Sequence, residues 1–299
     1  MTKVLLVVNP SSGGEKGKEF ACVAEARLKE FFDEVYVKET EKTGDAANFV
    51  AEAVKDNYHS VFVMGGDGTV NEGISGLAEK DYKPKFGFFP LGTVNDLARA
   101  LNIPIDPEEA IAQFDPTSVK SLDIGKINDK YFMNVVAVGT IPEAINDVES
   151  EDKTKLGKLA YFVSGLKHIA SNKNYNFRLT LDGKQKNITS STLLVGLTNS
   201  IGGFEHILPG AKVNDGLLHL IYIKDSNLIE TIASLPDMLK GVDESTSHVE
   251  YAQFSEGTIE IIDEGKSLNV NVDGDEGDSL PITIKILPSH IDVYCGASK

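Results

Sequence analysis

The chain has 299 residues, and 45 acidic against 29 basic side chains give it a formal net charge of −16. That length suits one large or two medium domains, and the acidity excludes a general nucleic-acid binder, which needs clustered Lys and Arg. The two cysteines, Cys22 and Cys295, lack metal-ligand spacing and read as free thiols.

The chain opens on Lys3 and the apolar run Val4 to Val8, ended by Asn9-Pro10, which is too short for a secretory segment. No stretch reaches the roughly 18 to 20 apolar residues that span a bilayer, so a soluble protein is expected, and the free thiols read most simply as cytoplasmic. Val4 to Val8, Glu34 to Lys38, Val61 to Met64 and Phe86 to Phe89 read as strands. Gly17 to Phe31, Asp45 to Asp56, Thr69 to Glu79 and Thr93 to Leu101 read as helices. This alternation implies a doubly wound α/β domain with a mostly parallel sheet over 1–122, which 289–299 is a candidate to complete. Ligands of such sheets bind beyond the carboxyl ends of the strands.

After Asp115-Pro116 the pattern changes. Ser121 to Lys126, Lys130 to Val138, Asn176 to Leu181, Thr189 to Thr198, Leu217 to Ile223, Thr258 to Ile262 and Leu268 to Val272 form short β-rich runs divided by turns. An antiparallel β-sandwich-like domain over 123–288 is expected, abutting the first across a cleft, since no low-complexity linker separates them. Two helical segments interrupt it. One is Asn227 to Leu239. In the other, Lys153, Lys155, Lys158, Lys167 and His168 accompany Leu156, Leu159, Phe162, Val163, Leu166 and Ile169 at helical spacing. That basic amphipathic helix serves either as a core-packing helix with a solvated lysine face or as a surface resting on lipid headgroups.

The tetrapeptide Gly-Thr-Val-Asn occurs twice, at Gly68 to Asn71 and Gly92 to Asn95, each time after a strand and before an acid, Glu72 or Asp96. Each threonine is placed to cap a helix whose third residue is that acid. Exposed N–H groups at such starts attract anions, so phosphate chemistry is expected. In the first copy Gly65, Gly66 and Gly68 surround Asp67 and let the main chain approach a ligand. Asn9-Pro10-Ser11-Ser12-Gly13-Gly14 follows the first strand and converges on the same edge.

These segments, with Pro90-Leu91-Gly92-Thr93-Val94-Asn95-Asp96, Asp123-Ile124-Gly125-Lys126, Lys212-Val213-Asn214-Asp215-Gly216-Leu217 and Asp273-Gly274-Asp275, resemble the bacterial diacylglycerol and lipid kinases, relatives of sphingosine kinases. The resemblance spans nearly the whole chain. It implies ATP held by Asn9, Pro10, Ser11, Ser12, Gly13, Thr40, Gly66, Asp67, Gly68, Thr69, Val70, Asn71, Glu72 and Thr93. Asp67 would organise Mg²⁺ and its waters, with Asp96 in a supporting network. Asp273 and Asp275 would form the catalytic pair, Asp273 as proton acceptor, although Asp275 stands where the family usually has Glu. From the residues alone, Asp273-Gly274 reads equally well as a hairpin turn. A structural Mg²⁺ is implied at Asp215, with the carbonyls of Lys212 and Leu217. Asn214 stands where many members have Asp, and Gly14 where some have lysine, for which Lys16 or Lys18 is the candidate replacement.

The implied activity is ATP-dependent phosphorylation of a lipid hydroxyl, diacylglycerol first. Phosphatidylglycerol, a polyprenol or a sphingoid-like alcohol remain alternatives, as does a catalytically decayed nucleotide-binding regulator. A lipid partner implies peripheral association with the inner membrane face. The oligomeric state is left open, a homodimer included.

Overall fold

The computed structural model describes residues 1–14, 17–139, 173–205, 208, 210–223 and 249–297. The basic stretch 153–169 and the segment 227–239, both expected to be helical, lie outside the described residues. The chain divides into two compact units, Met1–Ile124 with Ser289–Lys299, and Gly125–Pro288.

The first unit alternates strand and helix: β1 (Lys3–Val8), α1 (Gly17–Lys29), β2 (Glu34–Glu39), α2 (Asp45–Lys55), β3 (Ser60–Gly65), α3 (Asp67–Leu77), β4 (Lys85–Pro90), α4 (Asp96–Ala100) and α5 (Pro107–Ala112). Strands β1, β3 and β4 are buried along nearly their whole length, as continuous apolar runs in a parallel sheet covered on both faces must be. All pairs in the order β2-β1-β3-β4 are parallel. β2 forms the edge, where Glu34, Lys38 and Glu39 discourage pairing with another chain. One core packs Leu6, Val8, Leu28, Phe62, Phe89 and Phe114. The chain passes from β1 outward to β2 and then back beyond β1 to β3. The topological switch point therefore lies between the carboxyl ends of β1 and β3.

β5 (Val119–Ile127) leads into the second unit, which contains β6 (Lys130–Phe132), β7 (Val135–Gly139), β8 (Tyr175–Leu181), β9 (Lys184–Ser190), β10 (Thr192–Gly196), β11 (Ser200–Ile201), β12 (Phe204–Glu205), β13 (Leu218–Ile223), β14 (Val249–Phe254), β15 (Glu256–Ile261), β16 (Asn269–Val272) and β17 (Asp275–Ser279). The last strand, β18 (Ile282–Tyr294), begins there and ends in the first unit, where Val293 pairs in parallel with Phe86. One antiparallel sheet has the order β14-β13-β10-β7-β16-β17. In the other, β15 lies between the start of β18 and β8, followed by β9. Phe177, Leu179, Ile259 and Ile282 from the latter sheet share a core with Val138, Val195, Leu220 and Phe254 from the former. Two sheets with a common apolar interior make this a β-sandwich.

Several expected elements have different bounds. The run 130–138 splits into β6 and β7 because Met133 N–H and Asn134 N–H leave the ladder to donate to Asp273, about 140 residues away. The run 189–198 splits at Ser191, where Ser190 Oγ donates to Thr192 O at 2.9 Å and accepts Thr192 N–H. α5 was not expected, although Asp106 accepts Glu109 N–H at 3.0 Å and Pro107 opens the helix, a favourable start.

Two histidines of the first unit make its stability pH-dependent. His290 Nε2 accepts Glu79 N–H at 2.9 Å, which requires an unprotonated nitrogen. Burial and the Lys83 charge hold this imidazole below its ordinary value of 6.5, against the opposing Glu79 charge. Burial and Lys85 do the same for His59. The unfolded chain therefore takes up these protons first. The stability is fully present above about pH 6.5 and is lost as pH falls through the folded values. Thermal melts from about pH 7.5 to 5 should show a falling Tm, with a shallower slope in His290→Gln. An unchanged slope in that variant would remove His290 as a contributor.

Candidate active site

Three loops meet at the switch point. Asn9, immediately after β1, donates from Nδ2 to Thr69 Oγ1 at 3.1 Å and so ties β1's end to the start of α3. Its Oδ1 accepts Ser11 N–H at 3.2 Å and Ser11 Oγ–H at 2.8 Å, folding the Pro10-Ser11 turn back on itself. Ser12 N–H closes that turn onto Asn9 O at 3.2 Å. Gly13 takes φ +65° with its backbone against Leu91. Thr40 N–H donates to Val8 O at 2.8 Å and brings the loop after β2 alongside. Together they wall a polar cavity of about 270 Å³, lined by Asn9, Ser11, Thr40, Thr69 and Glu72 with Glu41, Lys42 and Thr43. Asp45 shapes that third wall. Its Oδ2 accepts Glu41 N–H at 2.9 Å and Lys42 N–H at 3.0 Å, and the Glu41 bond is the main reason its carboxyl lies below the usual range.

The two Gly-Thr-Val-Asn copies turn out to be structurally different. The first lies inside α3, which starts at Asp67, two residues before the expected cap Thr69. Gly66 occupies the N-cap and offers no side-chain acceptor. Thr69 instead takes the Asn9 hydrogen bond. The second copy is a loop: Thr93 is exposed, and Asn95, at φ 52°, accepts Gly92 N–H at 3.0 Å and donates to Gly92 O at 2.8 Å before α4 begins. Helical capping was expected of both threonines, but Gly66 and Asn95 stand at those helix starts.

Asp67 joins the two turns. The residue is 9% exposed, and its carboxylate accepts Asn95 N–H at 3.0 Å and Asp96 N–H at 3.1 Å. Glycine permits this approach. A Cβ on Gly92 would stand 2.9 Å from Gly66 Cα and 2.6 Å from Asn95 Oδ1. A Cβ on Gly68 would meet nothing within 4 Å, so the first turn of α3 is open on that side. Open, uncapped N–H groups at the positive end of an 11-residue helix suit an anion. Val70, grouped with the nucleotide residues by resemblance, has a buried side chain and donates its N–H to Gly66 O at 3.0 Å.

In the second unit, Asp273 and Gly274, with φ of 50° and 93°, connect β16 to β17 as a two-residue hairpin turn. The Asp273 side chain is 7% exposed. It accepts N–H groups from Met133 at 2.8 Å, Asn134 at 3.0 Å and Val135 at 2.8 Å. Asp275 opens β17 opposite Val272 and is exposed.

Asp215 closes its own turn. It accepts Lys212 N–H at 2.9 Å on Oδ2 and Leu217 N–H at 3.1 Å on Oδ1, and His219 Nε2 lies 3.0 Å from Oδ2. Burial raises its pKa, but His219 and the two main-chain donors outweigh burial and hold it below the usual carboxylate range. A carboxylate has about four acceptor positions. Three are used, and the one left on Oδ1 suits a hard cation that takes a single carboxylate oxygen with carbonyls and waters.

Two family models match most of the chain. Residues 3–127 match the family model "Diacylglycerol kinase catalytic domain", and residues 134–295 match "YegS C-terminal NAD kinase beta sandwich-like domain". A protein of Streptococcus pneumoniae serotype 4 named "Putative lipid kinase" is 38% identical over 98% of both chains. The chain belongs to the diacylglycerol kinase catalytic-domain family. A Staphylococcus aureus protein named "Diacylglycerol kinase" is 36% identical, with 97% of this chain and 91% of that one covered. A crystal structure of a "putative diacylglycerol kinase" from Bacillus anthracis str. Sterne superposes with a TM-score of 0.87 at 27% identity, covering 98% of this chain and 95% of the other. The chain is therefore an enzyme of the lipid kinase family.

Within that family frame, the cavity residues not expected were Glu41, Lys42 and Thr43. They follow a strand at the same sheet edge as the other loops, so their position was available as a signal. Asn95 was noticed only as part of a repeat, and its turn-closing role depends on its left-handed φ. Lys18, a candidate for the lysine missing at Gly14, pairs with Glu39 at 3.0 Å, and Lys16 lies outside the described residues. No helix among the described residues is long and apolar enough to cross a membrane.

Proposed function

We propose that this protein transfers the γ-phosphoryl group of ATP to a lipid hydroxyl, with diacylglycerol as the favoured acceptor and phosphatidic acid as product. The observation that carries this reading is the polar cavity at the β1/β3 switch point beside the uncapped start of α3. Nucleotide phosphates suit such a place. The names of the relatives support the lipid acceptor.

Phosphoryl transfer asks little covalent chemistry of the protein, so positioning and charge neutralisation do most of the catalysis. In this reading the first-turn N–H groups of α3 hold phosphate oxygens, while Asn9, Ser11, Thr40 and Thr69 orient the nucleotide. Asp67 is a positioning residue that fixes the second turn, through Asn95 and Asp96, against the first. Asp273 accepts the proton of the acceptor hydroxyl, and exposed Asp275 has at most a supporting role. Glu41 and Glu72 outnumber Lys42 in the cavity lining, so phosphate binding there relies on N–H donors and a cation. Mg²⁺ would supply that neutralisation when bound. A second cation would sit at Asp215 with the carbonyls of Lys212 and Leu217. The lipid stays in its bilayer, and association of the basic stretch 153–169 with the inner membrane face belongs to the same proposal.

The test is incubation with labelled ATP and mixed micelles of diacylglycerol, phosphatidylglycerol, a polyprenol or a sphingoid alcohol. Label should enter diacylglycerol fastest. Faster labelling of another alcohol would reassign the acceptor. ATP binding with no transfer to any of them would point to a regulator that has lost its chemistry.

A further inference from the structure

His219 is an unusual residue for its place. Its neighbours on β13, Leu218 and Leu220, point into the sandwich core, so strand alternation directs His219 to the opposite face, where it is 0% exposed. A buried imidazole needs partners for both nitrogens. Nε2 lies 3.0 Å from Asp215 Oδ2, and Nδ1 lies 2.6 Å from the Tyr251 hydroxyl. Tyr251 belongs to the neighbouring strand β14. There Gln253 is directly opposite His219, and Tyr251 is the diagonal neighbour on the same face.

The chemistry of the three groups orders their protons. A carboxylate only accepts, so the proton between Asp215 and His219 belongs to Nε2. In the neutral ring the other nitrogen has a lone pair, to which the Tyr251 hydroxyl donates. Removing that hydroxyl frees the ring to place its proton on Nδ1 and turn a lone pair towards Oδ2.

We propose that Tyr251 and His219 are positioning residues for a divalent cation at the 212–217 turn, holding Asp215 so that Oδ1 faces the ion. This rests on Asp215 being the cation's carboxylate ligand. Lys212 N–H and His219 Nε2–H fill the positions on Oδ2, and Leu217 N–H fills one on Oδ1. The carboxylate is therefore oriented before the ion arrives. With Asn214 adding no charge to the turn, orientation of the single acid matters more.

The experiment uses the full chain without nucleotide and Mn²⁺ alone as the probe, titrated by electron paramagnetic resonance. Imidazole ¹⁵N shifts of wild type are recorded alongside. Wild-type His219 should show the Nε2–H tautomer, with Nδ1 as acceptor. Tyr251→Phe should weaken Mn²⁺ binding by about 10-fold, the lower end of the usual effect of losing a ligand's own hydrogen-bond partner, because it acts on Asp215 only through His219, and should mix the tautomers. Asp215→Ala should lose the site. Equal Mn²⁺ binding by wild type and Asp215→Ala would overturn the cation reading itself. Loss in Asp215→Ala with wild-type affinity in a folded Tyr251→Phe would overturn the positioning proposal alone. An Nδ1–H tautomer in wild type would also overturn it, with no need for any variant to fold.

Discussion

Asp273→Asn should lower phosphoryl transfer by about 100- to 10,000-fold, the usual range for losing a general base, while leaving ATP affinity close to wild type. Asparagine is a better test than alanine because of the three N–H groups on this side chain. Alanine would strand the donors of Met133, Asn134 and Val135, of which the first two bonds are buried. Unsatisfied buried groups cost about 1–3 kcal/mol each, so inactivity of Asp273→Ala would confuse chemistry with folding. Asparagine keeps one carbonyl oxygen, which can retain the Oδ1 bonds from Asn134 and Val135. Its amide would meet Met133 N–H, so a lower Tm is expected with the fold preserved. Single-turnover kinetics and calorimetric ATP titration together decide the matter. Near-normal turnover by folded Asp273→Asn would leave Asp273 with only its structural role, that of holding 133–135 at the break between β6 and β7.

That double position of Asp273 also shows what can be read from a sequence. Asp-Gly between two β-rich runs predicts a hairpin, and the left-handed φ angles of both residues agree. Nothing local reveals that its carboxylate reaches Met133 and thereby divides a run that reads as one strand. β1, β3 and β4 were legible for the opposite reason. A strand buried on both faces carries its environment in its own apolar run, whereas β14, with burial that does not alternate regularly, has no such signature. β18 has alternating Ile282, Ile284 and Ile286, but Pro288 interrupts the pattern where the strand passes from one unit to the other. The site follows the same division. Its place at the ends of β1, β2 and β3 follows from the strand and helix alternation. How it is held together does not, because Asn9 reaches Thr69, and Asp67 reaches Asn95, across tens of residues.

Asp67→Ala should reduce turnover by about 100-fold, a loss that can follow from displacing reacting groups by about an ångström. The side chain is the link between the two glycine turns, and without it Asn95 N–H and Asp96 N–H lose buried partners. Close contact between Gly66 and Gly92 leaves no room for the turns to shift towards each other, so relaxation would separate them. Because such a loss is geometric, excess Mg²⁺ should not correct it. Asp67→Asn is the informative companion. One oxygen still accepts an N–H while the amide faces the other donor, so a partial recovery of Tm and rate is expected from a positioning carboxylate. If Asp67→Ala instead keeps wild-type stability and regains its rate with added Mg²⁺, the carboxylate acts on the metal, and the hydrogen bonds to Asn95 and Asp96 contribute little to catalysis.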